Sequence, residues 1–220
     1  VKPGMTLKEI DALGEAYIRE HGAEPSFKGL YGFTGSVCTS LNEVCIHGVP
    51  TDRVIEEGDV LGLDIGTKLD GYFGDAAITM AVGKISAEDE ALIACSKGAL
   101  YHAIDSIREG MRFKELSKIL EDYIVSAGFV PLRDYCGHGI GTKAHDEPNI
   151  PNYLEGKTNQ GPKIKNGMVF CLEPMVCQKS GTPVLLDDKW SVISEDQLRS
   201  AHYEHQVAVV DGKAIILTEA

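Results

Sequence analysis

No run of about 18 or more apolar residues occurs in this sequence, so a helix built to span a membrane is not expected. Basic residues are in deficit: Lys and Arg number 21 against 33 Asp and Glu, for a formal net charge of −12. A protein that grips DNA or RNA on its own needs Lys and Arg gathered on one face, and this balance argues against one. Cys-x-x-Cys spacing is absent among Cys38, Cys45, Cys95, Cys136, Cys171 and Cys177, which makes a thiolate zinc site improbable. No Gly-x-Ser-x-Gly elbow supports a serine triad, and no Gly-rich loop with Lys and Ser stands ready for a phosphate. Val1-Lys2-Pro3-Gly4 leads straight into a helical pattern and does not resemble a secretory signal. These features predict a cytoplasmic protein with reduced thiols. The valine at position 1 suggests a trimmed product.

What is present is 43% hydrophobic and 25% charged, ordinary for a globular chain. The length of 220 residues fits one domain, residues 1–220, with a sizeable core. Thr6-Leu7-Lys8-Glu9 reads as a capping box that opens a helix. Leu7, Ile10, Leu13, Tyr17 and Ile18 follow near the helical period, and Gly22 terminates it. Further helices are expected over about 87–107 and 113–127. In the first, Leu92, Ala99, Leu100, Ala103, Ile104 and Ile107 face inward; Gly128 ends the second. Strand-like runs cover Val44–Val49, Val60–Leu69, Tyr72–Val82, Met168–Met175, Trp190–Ile193, Gln206–Val210 and Ala214–Leu217.

The pattern is also duplicated. Val1–Pro25 aligns without a gap on Ile107–Pro131, with Gly4, Met5, Lys8, Glu9, Glu15, Tyr17, Ile18, Gly22 and Pro25 all repeated. Gly58-Asp59-Val60-Leu61-Gly62-Leu63-Asp64 matches Gly167-Met168-Val169-Phe170-Cys171-Leu172-Glu173, which sets Asp64 opposite Glu173. Allowing an insertion, Asp75 falls roughly opposite Glu204. Chance similarity between two amphipathic helices accounts poorly for the shared Gly-Met start, the shared Pro end and the paired acids. The expectation is an α+β fold of two helix-plus-antiparallel-sheet halves around a pseudo-twofold axis, with four carboxylates at their junction.

Asp64 and Glu173 each interrupt an apolar strand, and burying an unpaired carboxylate costs several kcal/mol at about the least. Such an acid must meet a cation, share a proton or sit at an exposed strand end. Two acids at matched positions, with Asp75 and Glu204 nearby, favour a metal. His138, in Gly137-His138-Gly139-Ile140-Gly141, supplies a nitrogen from a loop whose glycines permit close backbone approach. One nitrogen and many oxygens suit Mn²⁺, Fe²⁺, Co²⁺ or Zn²⁺, and four negative charges balance two divalent ions. Two metals about 3.5–4 Å apart perform peptide or ester hydrolysis or phosphoryl transfer, and the missing phosphate loop counts against the last. His47 and His145 flank turn-forming residues and could hydrogen-bond substrate and a developing oxyanion. His21, His102, His202 and His205 look ordinary, the first two facing solvent.

From Val1 almost to Thr218 the chain resembles type I methionine aminopeptidases of the pita-bread metallopeptidase family. The resemblance is carried by Cys38-Thr39-Ser40-Leu41-Asn42-Glu43-Val44, His47-Gly48-Val49-Pro50, Leu63-Asp64-Ile65-Gly66, Gly71-Tyr72-Phe73-Gly74-Asp75, Gly137-His138-Gly139-Ile140-Gly141, Glu173-Pro174-Met175 and Tyr203-Glu204-His205. It implies the pita-bread fold and removal of initiator methionine before a small second residue. It also implies five metal ligands, Asp64, Asp75, His138, Glu173 and Glu204, with Asp75 and Glu204 bridging two ions. Glu173 matches the residue that relays the proton of the attacking water. His47 matches a contact to the scissile amide, and His145 one that steadies the tetrahedral intermediate. Phe33, Cys38 and Trp190 match the methionine side-chain pocket. Tyr31 stands at its rim, where bacterial relatives often carry histidine. The family's usual helical segment before Lys2-Pro3-Gly4 is absent from this sequence. The implied partners are the amino end of a peptide or nascent polypeptide and the ribosome that presents it, the protein itself being a monomer. Two alternatives remain: a proline-specific aminopeptidase or dipeptidase of the same fold, and a non-catalytic ribosome- or RNA-binding paralogue. Such paralogues generally lose ligands, and all five candidates are present here.

Overall fold

Thr6 starts helix α1 (Leu7–Glu20) as its neighbours require: its hydroxyl accepts from the Glu9 N–H at 3.1 Å, and the Glu9 carboxylate accepts from the Thr6 N–H at 2.8 Å. The computed structural model describes residues 1–219, so Ala220, the last residue of the expected domain, lies outside them. After α1 come β1 (Glu24–Pro25), β2 (Val37–Leu41), β3 (Val44–Ile46), β4 (Val60–Leu69) and β5 (Tyr72–Ala81). Helices α2 (Ala87–Ser106) and α3 (Phe113–Ser126) follow, then β6 (Val130–Pro131), β7 (Cys136–Gly139) and β8 (Asp146–Pro151). The chain closes with β9 (Val169–Leu172), β10 (Met175–Cys177), β11 (Pro183–Leu185), β12 (Val192–Ser194), β13 (Ser200–His202), β14 (Glu204–Val210) and β15 (Lys213–Ile216). The expected α+β class holds.

One nine-stranded antiparallel sheet runs β1-β4-β5-β14-β9-β7-β8, with β2 also on β4 and β15 also on β14. Strands β4 and β5 come from the first half and β14, β9, β7 and β8 from the second, so the sheet crosses the junction. The duplication shows in the backbone. Gly4 donates to Ile55 at 2.9 Å and Ile55 to Met5 at 2.8 Å; Gly110 donates to Ile164 at 2.9 Å and Ile164 to Met111 at 2.7 Å. The Arg112 N–H donates to Glu115 at 2.7 Å, as Thr6 does to Glu9. Ladder register corrects one equivalence. Val60 pairs with Ala81 and Val169 with Ala208, which makes Ala77, not Asp75, the counterpart of Glu204. Ala77 and Glu204 pair with each other across the junction. Asp75 lies two residues from Ala77 and therefore on the same face, because strand side chains alternate with period two.

The core matches the helical pattern on α2 and α3: Leu92, Ala99, Leu100, Leu116, Leu120 and Ile124 are sealed against Phe170, Val207 and Val209. On α1 the pattern overreached. Leu7, Ile10 and Ile18 are buried, but Leu13 and Tyr17 are exposed. The polar side of that helix is used instead: Asp11 accepts from the Ser36 and Val37 N–H groups at 2.7 and 2.8 Å, which fixes the start of β2. Three expected strands also changed. The run Met168–Met175 splits, because Pro174 has no N–H to continue the ladder and the chain leaves for a second sheet, β13-β10-β6. The run Val44–Val49 stops at Ile46, because His47 takes a left-handed backbone with φ 56°. Trp190 precedes β12 rather than opening it.

Candidate active site

The two halves meet over one face of the nine-stranded sheet, and the acids collect there by register. Asp64 pairs with Ala77, Gly66 with Asp75 and Ala77 with Glu204, so these side chains share a face. Glu173 follows β9 at the corner made by Pro174. That corner is tied down: the Glu173 carbonyl accepts from Asn152 Nδ2 at 2.9 Å, and the Pro174 carbonyl accepts from the Ser96 hydroxyl at 2.8 Å. Gly139 pairs with Phe170, which brings His138 beside the end of β9. His138 Nε2 lies 3.6 Å from Glu173 Oε1 and 4.0 Å from Asp75 Oδ2.

The glycines flanking His138 are there for space. A Cβ on Gly137 would stand 2.4 Å from the Cys171 carbonyl oxygen, and one on Gly139 would stand 2.3 Å from that of Glu147. Gly137→Ala is therefore expected to pry β7 from β9 and to cost about 1–3 kcal/mol in urea unfolding. A wild-type unfolding midpoint would show that the strands can part freely.

A cleft of about 300 Å³ opens over this face. Every residue expected from the sequence lines it: Tyr31, Phe33, Cys38, His47, Asp64, Asp75, His138, His145, Glu173, Trp190 and Glu204. At one end Phe33 packs edge-on against Trp190, ring centroids 5.1 Å apart, in a cluster with Phe27 and Cys38. Cys38 pairs directly with Asp64, so this apolar hollow adjoins the acids. At the mouth, exposed His145 sets its ring against His138 with centroids 4.4 Å apart, and Tyr31 stacks on it at 6.2 Å.

The electrostatics are those of a cation site. Glu204 is 2% and Asp75 5% exposed, and the Glu173 side chain 12%. Burial first, then the surrounding carboxylates, pushes Asp75, Glu173 and Glu204 well above the carboxylate range. Burial raises Asp64 to about 6. Asp64 Oδ1, Asp75 Oδ1 and Glu204 Oε1 are sealed from solvent with no hydrogen-bond partner. Unpaired buried oxygens of this kind fit cation ligation. Asp75, His138, Cys171 and Glu204 each offer an atom within 4.8 Å of the others, and so do Glu173, His202 and Glu204. The residues thus fit a divalent metal. Burial also pushes His47 and His138 down to about 4, so both imidazoles are neutral at pH 7.

Sequence reasoning missed several neighbours. His202, read as ordinary, is 4% exposed and its Nε2 lies 3.5 Å from Glu173 Oε2. Its one local signal is its place two residues before Glu204, and β13 brings it to the site from another sheet. Cys171 could have been found: it precedes Glu173 by two residues and so shares its face. Phe27, Leu30, Ile46, Asp134, Tyr135, Cys136 and Met175 complete the lining.

A duplicated sheet with buried, unpaired acids and a neutral histidine at its junction defines a metallohydrolase built from two related halves. The chain belongs to metallopeptidase family M24, whose family model matches residues 1–211. The methionine aminopeptidase of Helicobacter pylori (strain ATCC 700392 / 26695) is 62% identical over 221 residues, covering 100% of this chain and 87% of that protein. Methionine aminopeptidase 1 of Bacillus subtilis (strain 168) is 42% identical, covering 99% of this chain and 87% of its own length. The crystal structure of methionine aminopeptidase from Thermotoga maritima superposes with a TM-score of 0.97 at 34% identity, covering 100% of this chain and 88% of that one. The prolidase of Pyrococcus furiosus shares the fold at a TM-score of 0.79 and 24% identity, covering 100% of this chain and 57% of that one. The architecture is the pita-bread fold, as the sequence resemblance implied. No helix among the described residues is long and apolar enough to cross a membrane.

Proposed function

We propose that this chain is a metal-dependent methionine aminopeptidase that removes initiator methionine from nascent polypeptides with a small second residue. The observation that carries this reading is a single cleft with two ends: buried unpartnered oxygens at one, and an apolar hollow lined by Phe33, Cys38 and Trp190 at the other. A thioether fits an aromatic and sulfur lining. The relatives at 62% and 42% identity bear the same activity in their names. The likeness to prolidases concerns the fold alone.

Asp64, Asp75, His138, Glu173 and Glu204 would hold two divalent ions, Fe²⁺, Mn²⁺, Co²⁺ or Zn²⁺. When bound, the ions supply positive charge that polarises the scissile carbonyl and eases deprotonation of water. The remaining work falls to the protein. Glu173, whose burial favours a bound proton, takes one from the attacking water and returns it to the leaving amine. Neutral His47, presented by its left-handed turn, offers an N–H to the scissile amide. His145, at the mouth, steadies the developing oxyanion. The free amine of the substrate lies against the acidic end, and an internal peptide bond has no such group. Cleavage is therefore confined to the amino terminus. All six cysteines are free, as a reducing cytoplasm would keep them.

The test is turnover of Met-Ala-Ser against an Xaa-Pro peptide, under anaerobic Fe²⁺, Mn²⁺ and Co²⁺, with metal analysis of the purified chain. Release of methionine with two ions per chain is expected. Preference for the Xaa-Pro peptide would overturn the assignment.

A further inference from the structure

His202 has no part in the mechanism above, yet it stands between the two halves with its Nε2 sealed and without a hydrogen-bond partner. Its place is fixed at both ends of the peptide unit. The His202 N–H donates to Thr79 Oγ1 at 2.8 Å, and the Thr79 hydroxyl donates to the His202 carbonyl at 2.8 Å. His202 also pairs with Met175 across β13 and β10, one residue beyond Pro174. Glu173 Oε2 lies 3.5 Å from its Nε2, a few tenths of an ångström from a normal hydrogen bond. Leaving a buried donor unsatisfied costs about 1–3 kcal/mol, which favours closing that gap.

The two oxygens of Glu173 are thus divided between two imidazoles: Oε1 toward His138 and Oε2 toward His202. The backbone of Glu173 is already held by Asn152, and that of Pro174 by Ser96. Rotation of the carboxylate is the freedom that remains. We propose that His202 is a positioning residue for Glu173: its Nε2–H holds Oε2, so that Oε1 alone is presented to the metal-binding side of the cleft. This inference rests on the functional reading given above. Hydrogen bonds behind ligating carboxylates commonly change metal affinity by about tenfold to a hundredfold.

The experiment compares His202→Leu, which fills the space without a donor, with His202→Gln, whose amide can still reach Oε2. Both full-length proteins are stripped of metal, checked for folding by circular dichroism, and titrated with Co²⁺ by calorimetry and visible absorption. His202→Leu is expected to bind Co²⁺ about tenfold to a hundredfold more weakly, with shifted d–d bands. It should also turn over Met-Ala-Ser at reduced kcat with little change in KM. His202→Gln should restore most of the affinity and the wild-type spectrum. Where His202→Leu does not fold, His202→Ala takes its place in the same comparison. Wild-type affinity in the leucine variant overturns the positioning role alone. Loss of one ion in both variants makes His202 a ligand and also overturns it. Failure of the wild-type chain to bind Co²⁺ overturns the functional reading, and this inference with it.

Discussion

Asp75→Asn is expected to lower metal-dependent turnover by about a thousandfold or more while making the metal-free protein more stable. The first effect follows from the several kcal/mol of transition-state charge stabilisation that metals provide, at about 1.4 kcal/mol per tenfold in rate. Glu204→Gln should behave alike. The second effect follows from repulsion among Asp64, Asp75, Glu173 and Glu204 in a sealed space. All four are raised in the folded state by burial, Asp64 to about 6. In the unfolded chain they ionise near 4. Their native stability contribution is therefore fully present below about pH 4 and is lost as the pH rises through 6 and beyond. In metal-free melts the advantage of Asp75→Asn over wild type should widen across that window. Added Mn²⁺ should reverse the order, because it binds and stabilises the wild-type native state far better. Undiminished turnover, or a metal-free variant less stable than wild type at every pH, would count heavily against the proposed role of Asp75 in holding metal.

His145→Ala is expected to reduce kcat by about a hundredfold to a thousandfold with the metal content unchanged. Removing one donor that meets a developing oxyanion has that size of effect. His145 stands outside the carboxylate cluster: it is exposed at the mouth, against the edge of His138 and under Tyr31. In the proposed mechanism its ring would meet the substrate's developing oxyanion rather than the buried oxygens. Steady-state kinetics and metal analysis on the same preparation check this. Equal loss of metal and activity would make His145 a ligand instead.

Much of this was legible before any coordinates, for local reasons. The Thr6–Glu9 capping box, the α2 and α3 apolar faces and the repeated Gly-Met helix start depend on residues a few positions apart. An acid inside an apolar strand, as at Asp64, is a conflict visible in one dimension, and it marked the site. Strand alternation puts residues two apart on one face, so Asp75 shares the face of Ala77, the residue that pairs with Glu204.

The tertiary structure alone decided which strands cross the junction and what lies behind the acids. The expected strand Met168–Met175 ran through Pro174, and only long-range pairing showed that the chain turns there into another sheet and leaves Glu173 at the corner. His202 stands two residues before Glu204, but its approach to Glu173 depends on β13 being fastened to Thr79, 123 residues away. Leu13 and Tyr17 satisfy the helical period yet face solvent, because a period states which residues lie together and not what covers them. Contacts between distant segments depend on how whole layers close, and that closure is a property of the entire chain.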